Sequence, residues 1–171
     1  MKPTKLNAVS LLLALVAVAW LAAGCGTTKP KPVAWSLVIN KTTPASIEVD
    51  LIGVTPLDKS YWLNTVKPND YWKPGNPTRR NAKKLSSKFE SGPTWKVGPE
   101  DPLWQTWFGY GATELLIFAD LHVRDASNDP TDPRRFFLPL DKNAWDTKDK
   151  VLNIVIEDER IYTTTPPKLP K

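Results

Sequence analysis

Apolar and polar residues alternate along several short segments of this chain, which is the pattern of half-buried β-strands. Residues 47–51 read Ile-Glu-Val-Asp-Leu, so the apolar side chains share one face and the acidic side chains share the other. Residues 33–39 place Trp35, Leu37 and Ile39 on one face in the same way. Further strands are predicted at residues 115–123, 136–140 and 151–156. The pattern therefore predicts an all-β fold.

Turn-forming residues separate these strands and predict β-hairpins. Residues 40–45 are expected to join the first two strands, residues 125–133 the next pair, and residues 141–150 the last pair. Because seventeen prolines argue against long helices, short strands and irregular connections are favoured. We predict a β-sandwich of six to eight short strands.

A long insert separates the second and third predicted strands and covers residues 55–112. It is rich in tryptophan, proline, lysine and asparagine. Residues 61–66 are expected to form a short helix, since Trp62 and Val66 are four apart. Residues 82–89 are a second helical candidate, so one or two short helices are predicted.

The N-terminal residues follow a different pattern. Lys2 and Lys5 precede an apolar stretch that ends in small residues, and this layout predicts a signal peptide over residues 1–24. The apolar stretch is shorter than the roughly 20 residues that a membrane span needs. A plain secreted protein and a retained N-terminal anchor helix are the alternatives.

Cys25, the only cysteine of the chain, directly follows Leu-Ala-Ala-Gly, and this arrangement resembles the lipobox of bacterial lipoproteins. The resemblance implies cleavage before Cys25, acylation of that residue, and membrane lipid as a binding partner. Gly26 at the next position implies sorting to the outer membrane, with the domain facing the periplasm. Residues 25–32 are then a short tether, residues 33–162 the sandwich domain, and residues 163–171 a flexible proline-rich tail.

Charge and cysteine content exclude several classes of protein. The formal net charge is +5, with acidic and basic residues well mixed, so nucleic acid is a poor partner for an exported chain. A single cysteine allows no internal disulfide, and the fold must be held together by packing. Seven of the eight tryptophans lie after residue 24 and supply large apolar surfaces for that purpose.

Residues for catalysis or metal binding are few, so we predict no enzyme activity, no cofactor and no metal. His122 is the only histidine and shares a strand face with Asp120, a pair that could serve as acid and base. It lacks an accompanying nucleophile motif and is read as a surface histidine. Asp125, Asp129 and Asp132 could offer oxygens to calcium, yet aspartates beside prolines are ordinary turn residues.

The aromatic insert is the feature that could recognise a partner. Packing against the sheet is favoured for most of its rings, with one or two left to contact another molecule. Exposed tryptophans could instead stack on sugar rings, which makes a carbohydrate-binding surface lipoprotein the alternative function. The candidate partner-binding residues are Tyr71, Trp72, Trp104, Trp107, Asp125 and Asp129.

Three segments carry a wider resemblance. Residues 46–52, the run Leu-Leu-Ile-Phe-Ala-Asp-Leu at 115–121, and Leu-Pro-Leu at 138–140 before the strand 152–156 resemble the outer-membrane lipoprotein family of type VI secretion systems. The resemblance implies a transthyretin-like sandwich that acts as a structural adaptor. It also implies docking to an inner-membrane subunit of the secretion complex, for which we expect the insert and the turn at 125–133 to be used.

Overall fold

A computed structural model describes residues 31–89, 94–123 and 128–169. In this part of the chain eight strands form two sheets of four. The first sheet has the order β4-β1-β7-β8 and contains β1 (Ser36–Lys41), β4 (Thr94–Val97), β7 (Val151–Ile156) and β8 (Ile161–Thr163). The second has the order β3-β2-β5-β6 and contains β2 (Ile47–Val54), β3 (Lys84–Phe89), β5 (Glu114–Ala119) and β6 (Arg135–Pro139). The predicted all-β sandwich is confirmed.

Two of the three expected hairpins are wrong. β1 pairs antiparallel with β4 and parallel with β7, whereas β2 pairs with β3 and β5. The connection after β1 therefore crosses from one sheet to the other, and so does the connection from β6 to β7. β5 and β6 do form an antiparallel pair, as expected for residues on either side of a turn.

Helices are more numerous than predicted. The described residues contain a π-helix (Tyr61–Thr65), α1 (Pro68–Tyr71), α2 (Pro77–Asn81) and α3 (Pro102–Gly109). Proline occupies the first turn of α1, α2 and α3, where its missing N–H costs nothing. The Asn76 side chain caps α2 and the Asp101 side chain caps α3, which satisfies backbone donors at each start.

The second helical candidate, residues 82–89, is wrong because this segment forms β3 at the edge of its sheet. Leu85 pairs with Leu51, and Phe89 pairs with Ile47. A spacing of four residues suits one face of a helix, but it is also an even number and suits one face of a strand. Lysines and serines fill the remaining positions, so alternation of apolar residues is weak.

The main core lies between the sheets. Its members are apolar side chains from the inner faces of the four central strands: Leu37, Ile39, Val49, Leu51, Leu115, Ile117, Ala119, Leu152, Ile154 and Ile156. Helix α3 closes this core by inserting Trp104 and Trp107, whose rings meet edge to face at 5.1 Å. Both indole N–H groups are satisfied, by the carbonyls of Gly98 and Lys83 respectively, so burial leaves no donor unpaired.

A second apolar layer covers the outer face of the β3-β2-β5-β6 sheet. Leu116 and Phe118 of β5 are fully buried although they point away from the main core. Tyr71 stacks on Phe118 with ring centroids 4.4 Å apart, and Trp62 belongs to the same cluster. The insert is therefore a third layer of the domain, and β5 is buried on both faces.

The segment after β8 is held to the domain through residue 168, where a flexible tail was expected from residue 163. Trp145 forms a β-bridge with Pro167, and the Lys168 N–H donates to the Ala144 carbonyl at 2.9 Å. The Trp145 ring is itself buried. The predicted signal peptide, Cys25 and most of the tether lie outside the described residues.

A substitution at Gly53 of β2 tests how closely α3 packs against the sheet. A Cβ at this position would meet Trp107 Cγ at 2.4 Å and Trp107 Cβ at 2.6 Å. We expect Gly53→Ala to lower the free energy of unfolding by ~2 kcal/mol, the usual cost of overpacking. The matched control is Gly109→Ala, where nothing lies within 4 Å; it should change stability by less than ~1 kcal/mol. Urea unfolding of both variants measures the difference, and equal effects would contradict the packing.

Candidate docking surface

Asp50 is a carboxylate with no solvent exposure on the outer face of β2. Tyr71 donates its hydroxyl to Asp50 Oδ2 at 2.8 Å, and Ser86 donates to Oδ1 at 2.6 Å. Arg79 donates from Nε to Oδ2 at 2.9 Å. Because a buried charge needs both a counter-ion and hydrogen bonds, these donors are what makes burial of Asp50 possible. Tyr71 and Arg79 belong to the insert, so the cluster joins the insert to the sheet.

Arg79 is held from several sides. It also pairs with Glu48, and its guanidinium carbon lies 4.3 Å from the centre of the Trp72 ring, a cation–π contact. Burial alone would lower the pKa of Arg79, but the hydrogen bonds to Asp50 and Glu48 outweigh it and raise that pKa. Burial, and then the charge of Asp50, raises the pKa of Tyr71. Both groups therefore stay protonated, and the cluster keeps its donors.

A second ionic cluster joins the insert to the loop between β5 and β6. Asp132 and Arg134 are buried and form an ion pair, with Nη2 to Oδ2 at 2.6 Å and Nε to Oδ1 at 2.9 Å. Arg134 also donates to the side chain of Asn69 in α1. The Asn69 N–H in turn donates to Asn128 Oδ1 at 3.0 Å. The loop and the insert are thus bonded to each other directly.

Arg135 completes this junction. Its Nη1 donates to the carbonyls of Trp62 at 2.6 Å, Leu63 at 2.9 Å and Val66 at 3.1 Å. These carbonyls lie in and just after the π-helix, where backbone acceptors lack helical partners. The Arg135 Nη2 also donates to the Asp129 carbonyl. One side chain therefore fixes both the end of the π-helix and the β5–β6 loop.

The structure buries three of the predicted partner-binding residues. Tyr71, Trp104 and Trp107 have no exposed surface, so their rings offer no contact area to a partner in this conformation. Their rings are needed to hold the insert and α3 onto the sheets. Trp72 is half-buried beneath Arg79. Asp129 is exposed, and Asp125 and Cys25 lie outside the described residues.

The alternative of a sugar-binding surface loses its main residues. Stacking on a sugar requires an exposed aromatic face. Trp62, Trp104 and Trp107 are buried, and Trp72 is covered on one face by Arg79 and packs against Phe118. Trp95 is half-buried and packs against Phe89. No two of these insert tryptophans therefore present open faces side by side for a sugar.

The carboxylate oxygens of the β5–β6 loop accept hydrogen bonds from within the same loop. Asp132 is engaged with Arg134, and Asp129 Oδ1 accepts from the N–H of Thr131 at 2.7 Å. Within the described ranges no group of three His, Cys, Asp or Glu side chains could hold a metal ion. His122 is exposed, and burial raises the pKa of Asp120 while the charge of His122 opposes that rise. In the described part of the chain no hydrogen bond joins the two side chains.

The two elements expected to dock a partner form one continuous surface, which we call the far-end surface. It consists of residues 67–70 of the insert and residues 128–131 of the β5–β6 loop. Lys67 Nζ reaches the Asn128 carbonyl at 3.4 Å across the junction, and Asp70 and Asp129 are exposed. The surface lies where β5 ends and β6 begins. Sequence reasoning found both elements but not that Asn69, Asn128, Arg134 and Arg135 connect them.

The fold resembles that of a solved chain described as "Type VI membrane complex". That chain superposes with a TM-score of 0.52 at 14% identity, covering 82% of this chain and 100% of that one. Serratia marcescens Lip, "a membrane bound component of the Type VI Secretion System", superposes with a TM-score of 0.46 at 14% identity, covering 78% of this chain and 98% of that one. The T6SS lipoprotein TssJ1 from Pseudomonas aeruginosa superposes with a TM-score of 0.48 at 11% identity, covering 81% of this chain and 100% of that one.

No protein-family model and no curated protein matches the chain. The likeness to the type VI membrane complex chain therefore concerns the fold, and at that level it confirms the resemblance expected from the sequence. In the described ranges no helix is long and apolar enough to cross a membrane.

Arg79→Met tests the ionic junction between insert and sheet. It leaves the buried Asp50 with hydroxyl donors but without a counter-ion, and we expect the free energy of unfolding to fall by ~3 kcal/mol. Lys73→Met is the control, because Lys73 and Asp70 form a surface pair with 69% and 59% of their side chains exposed. That pair should contribute less than ~1 kcal/mol. Urea unfolding at pH 7 compares the two, and similar losses would contradict the role of Asp50.

The ion pair of Asp132 should make the free energy of unfolding depend on pH in the acidic range. Burial alone would raise its pKa, but hydrogen bonds from the Arg134 side chain and backbone outweigh it and hold that pKa below its ordinary value. Its stabilising contribution is thus complete above the unfolded value of about 3.9 and is lost as pH falls through the folded value. We expect Asp132→Asn to be less stable at pH 7 and to lose less stability than wild type below about pH 4. Urea unfolding measures the free energy of unfolding of both proteins from pH 7 to pH 2, and a constant difference between them would refute this.

Proposed function

We propose that this chain is a lipid-anchored periplasmic adaptor of a type VI secretion membrane complex, acting by binding and not by catalysis. The observation that carries the proposal is the shared fold with a chain of such a complex, over 82% of this chain and the whole of the other. In this proposal acylated Cys25 holds the protein in the outer membrane. The sandwich then presents a surface to the periplasmic part of an inner-membrane subunit.

The ionic clusters support an adaptor because they make the exposed part of the insert rigid. Asp50 fixes α2 to the sheet through Arg79, and Arg134 fixes α1 to the β5–β6 loop through Asn69. A surface held in one conformation loses little entropy when a partner binds. The far-end surface is therefore preorganised, and we assign docking to it.

The far-end surface offers charged and amide groups. Lys67, Asn69, Asp70 and Asp129 are exposed there, while the aromatic side chains beneath them are buried. Polar and charged groups of this kind determine orientation and specificity more than affinity. The partner surface should accordingly carry complementary charges and amides.

The double variant Lys67→Glu/Asp70→Lys tests this assignment. It keeps the net charge but inverts the charge order, and we expect the dissociation constant for the partner to rise about tenfold, equivalent to ~1.4 kcal/mol. The measurement is titration of the mature protein with the periplasmic domain of the inner-membrane subunit from the same secretion cluster. The matched control, Asp146→Lys/Lys148→Glu, makes the same exchange at exposed positions near β7 and should bind like wild type.

The outcomes separate the two levels of the proposal. Wild-type protein that does not bind the periplasmic domain would overturn the adaptor function. Wild-type binding with an unaffected Lys67→Glu/Asp70→Lys variant would instead show that another surface docks.

A further inference from the structure

Large apolar side chains are exposed at only a few positions of the described ranges: Leu57, Tyr61, Tyr110 and Leu169. Leu57 is 91% exposed and Leu169 is 82% exposed. Single exposed apolar residues are ordinary, but several on one region of a surface mark a contact site. Leu57, Tyr110 and Leu169 lie at the end of the sandwich where residues 31–35 join it.

Leu57 and Tyr110 lie at the same end of the sandwich. β2 ends at Val54, and the Thr113 N–H, just before β5, donates to the Val54 carbonyl at 3.0 Å. The Tyr110 hydroxyl donates to the Gly53 carbonyl, also at 3.0 Å. Leu57 follows β2 by three residues, so its loop and Tyr110 are neighbours.

The described chain enters at this end. The Val33 N–H donates to the Leu140 carbonyl at 3.0 Å, and the Leu140 N–H donates to the Thr113 carbonyl at 2.9 Å. Pro32 forms a β-bridge with Asp141. We call this the entry end; it comprises residues 31–35, 55–58, 110–113 and 140–150.

Leu169 is carried toward the entry end as well. β8 runs antiparallel to β7, and β7 begins beside the start of β1, where Ser36 pairs with Val151. The chain after β8 therefore returns toward the entry end, and Lys168 bonds to Ala144 in the entry-end loop. Leu169 is the next residue.

The exposure of Leu57 is fixed by an ordered turn. The Asp58 N–H donates to the Thr55 carbonyl and to Thr55 Oγ1, both at 3.1 Å, while the Thr55 hydroxyl donates to Asp58 Oδ2 at 2.8 Å. These bonds close the loop around Leu57 and direct its side chain outward. Leu57 is therefore presented to its surroundings by an ordered turn.

We propose that the entry end rests on the lipid bilayer, with Leu57, Tyr110 and Leu169 in the interfacial region. The inference depends on the lipid anchor of the proposed function. Lys31 is six positions after Cys25, and a chain of that length spans at most about 20 Å. An acylated Cys25 would therefore keep the entry end close to the headgroups.

The side chains at this end suit a membrane interface. Tyrosine is common at membrane interfaces because its ring can lie at the level of the headgroups while its hydroxyl keeps a hydrogen-bond partner. Lys31, Lys142 and Lys168 are exposed at the entry end and can extend to phosphates while their stems lie on apolar groups. Acidic residues such as Asp58 and Asp149 accompany them, so the contact should depend on apolar insertion more than on anionic lipid.

The test places a fluorescent probe at each end of the lipidated mature protein. Cys25 is the only native cysteine, and its sulfur would be alkylated, so an introduced cysteine is labelled selectively. Leu57→Cys carries an environment-sensitive nitrobenzoxadiazole probe, and Asp158→Cys, exposed in the turn after β7, is the matched control. Both proteins are reconstituted on vesicles of phosphatidylethanolamine and phosphatidylglycerol, with and without brominated lipid.

We expect emission from residue 57 to rise at least threefold on vesicles and to be quenched by brominated lipid, with no change at residue 158. Equal responses from the two probes would overturn the orientation while leaving the anchor intact. High emission from residue 57 without vesicles would also overturn it, because a protein contact would then cover this end. Unlabelled wild-type protein that fails to float with the vesicles would refute the anchor itself, and the membrane contact with it.

Discussion

The charge of Asp50 determines how the third layer of this domain is attached. A carboxylate on the outer face of a sheet can stay in water or be buried with its own donors, and here it is fully buried beneath Tyr71 and Arg79. If the insert separated from the sheet, it would leave Asp50 without its counter-ion and uncover Phe118 at the same time. The polar and apolar contributions therefore act together. The Asp50 cluster specifies one position for the insert, whereas apolar packing alone tolerates sliding.

The tryptophans show how a domain without an internal disulfide can be closed. Trp104 and Trp107 fill the main core from α3, and Trp62 fills the outer layer from the π-helix. The Trp104 and Trp107 N–H groups bond to carbonyls beside the edge strands β4 and β3. Trp104 and Trp107 thus contribute apolar area and also tie α3 to the ends of two strands. This double use explains why a long insert of low periodicity can be ordered.

The central strands could be predicted because their residues alternate or form short apolar runs. Residues 47–51 and 151–156 show this best. Both segments form strands, and the apolar residues of their inner faces are buried: Ile47, Val49, Leu51, Leu152, Ile154 and Ile156. The unbroken run at 115–119 also indicated cover on both faces of β5, but only one buried face was expected. β3 and β4 were missed because edge strands carry lysine, serine and threonine at outward positions. Asn76-Pro77 and Asp101-Pro102 were the sequence marks of α2 and α3.

The candidate docking residues were harder to predict for a physical reason. An aromatic side chain in a loop looks the same in the sequence whether it packs on a sheet or contacts a partner. Tyr71 and Trp107 could be separated from exposed rings only once Asp50 and Lys83 were known to accept their hydrogen bonds. The junction of Asn69, Asn128 and Arg134 joins positions about sixty residues apart, and no local pattern encodes such a pairing.

In the proposed orientation the entry end and the far-end surface are separated by the length of the strands. β2 is eight residues long, which corresponds to about 26 Å at the usual rise. A domain of this length holds a partner at a fixed distance from the membrane only if both of its ends are rigid. A mobile docking surface would let the partner move relative to the membrane. The Asp132–Arg134 pair and the three carbonyls bonded to Arg135 supply that rigidity at the far end. The ordered turn around Leu57 supplies it at the entry end. Buried charges in a small domain are costly to keep, and their placement at the insert junctions suits the rigid link between two membranes that we propose.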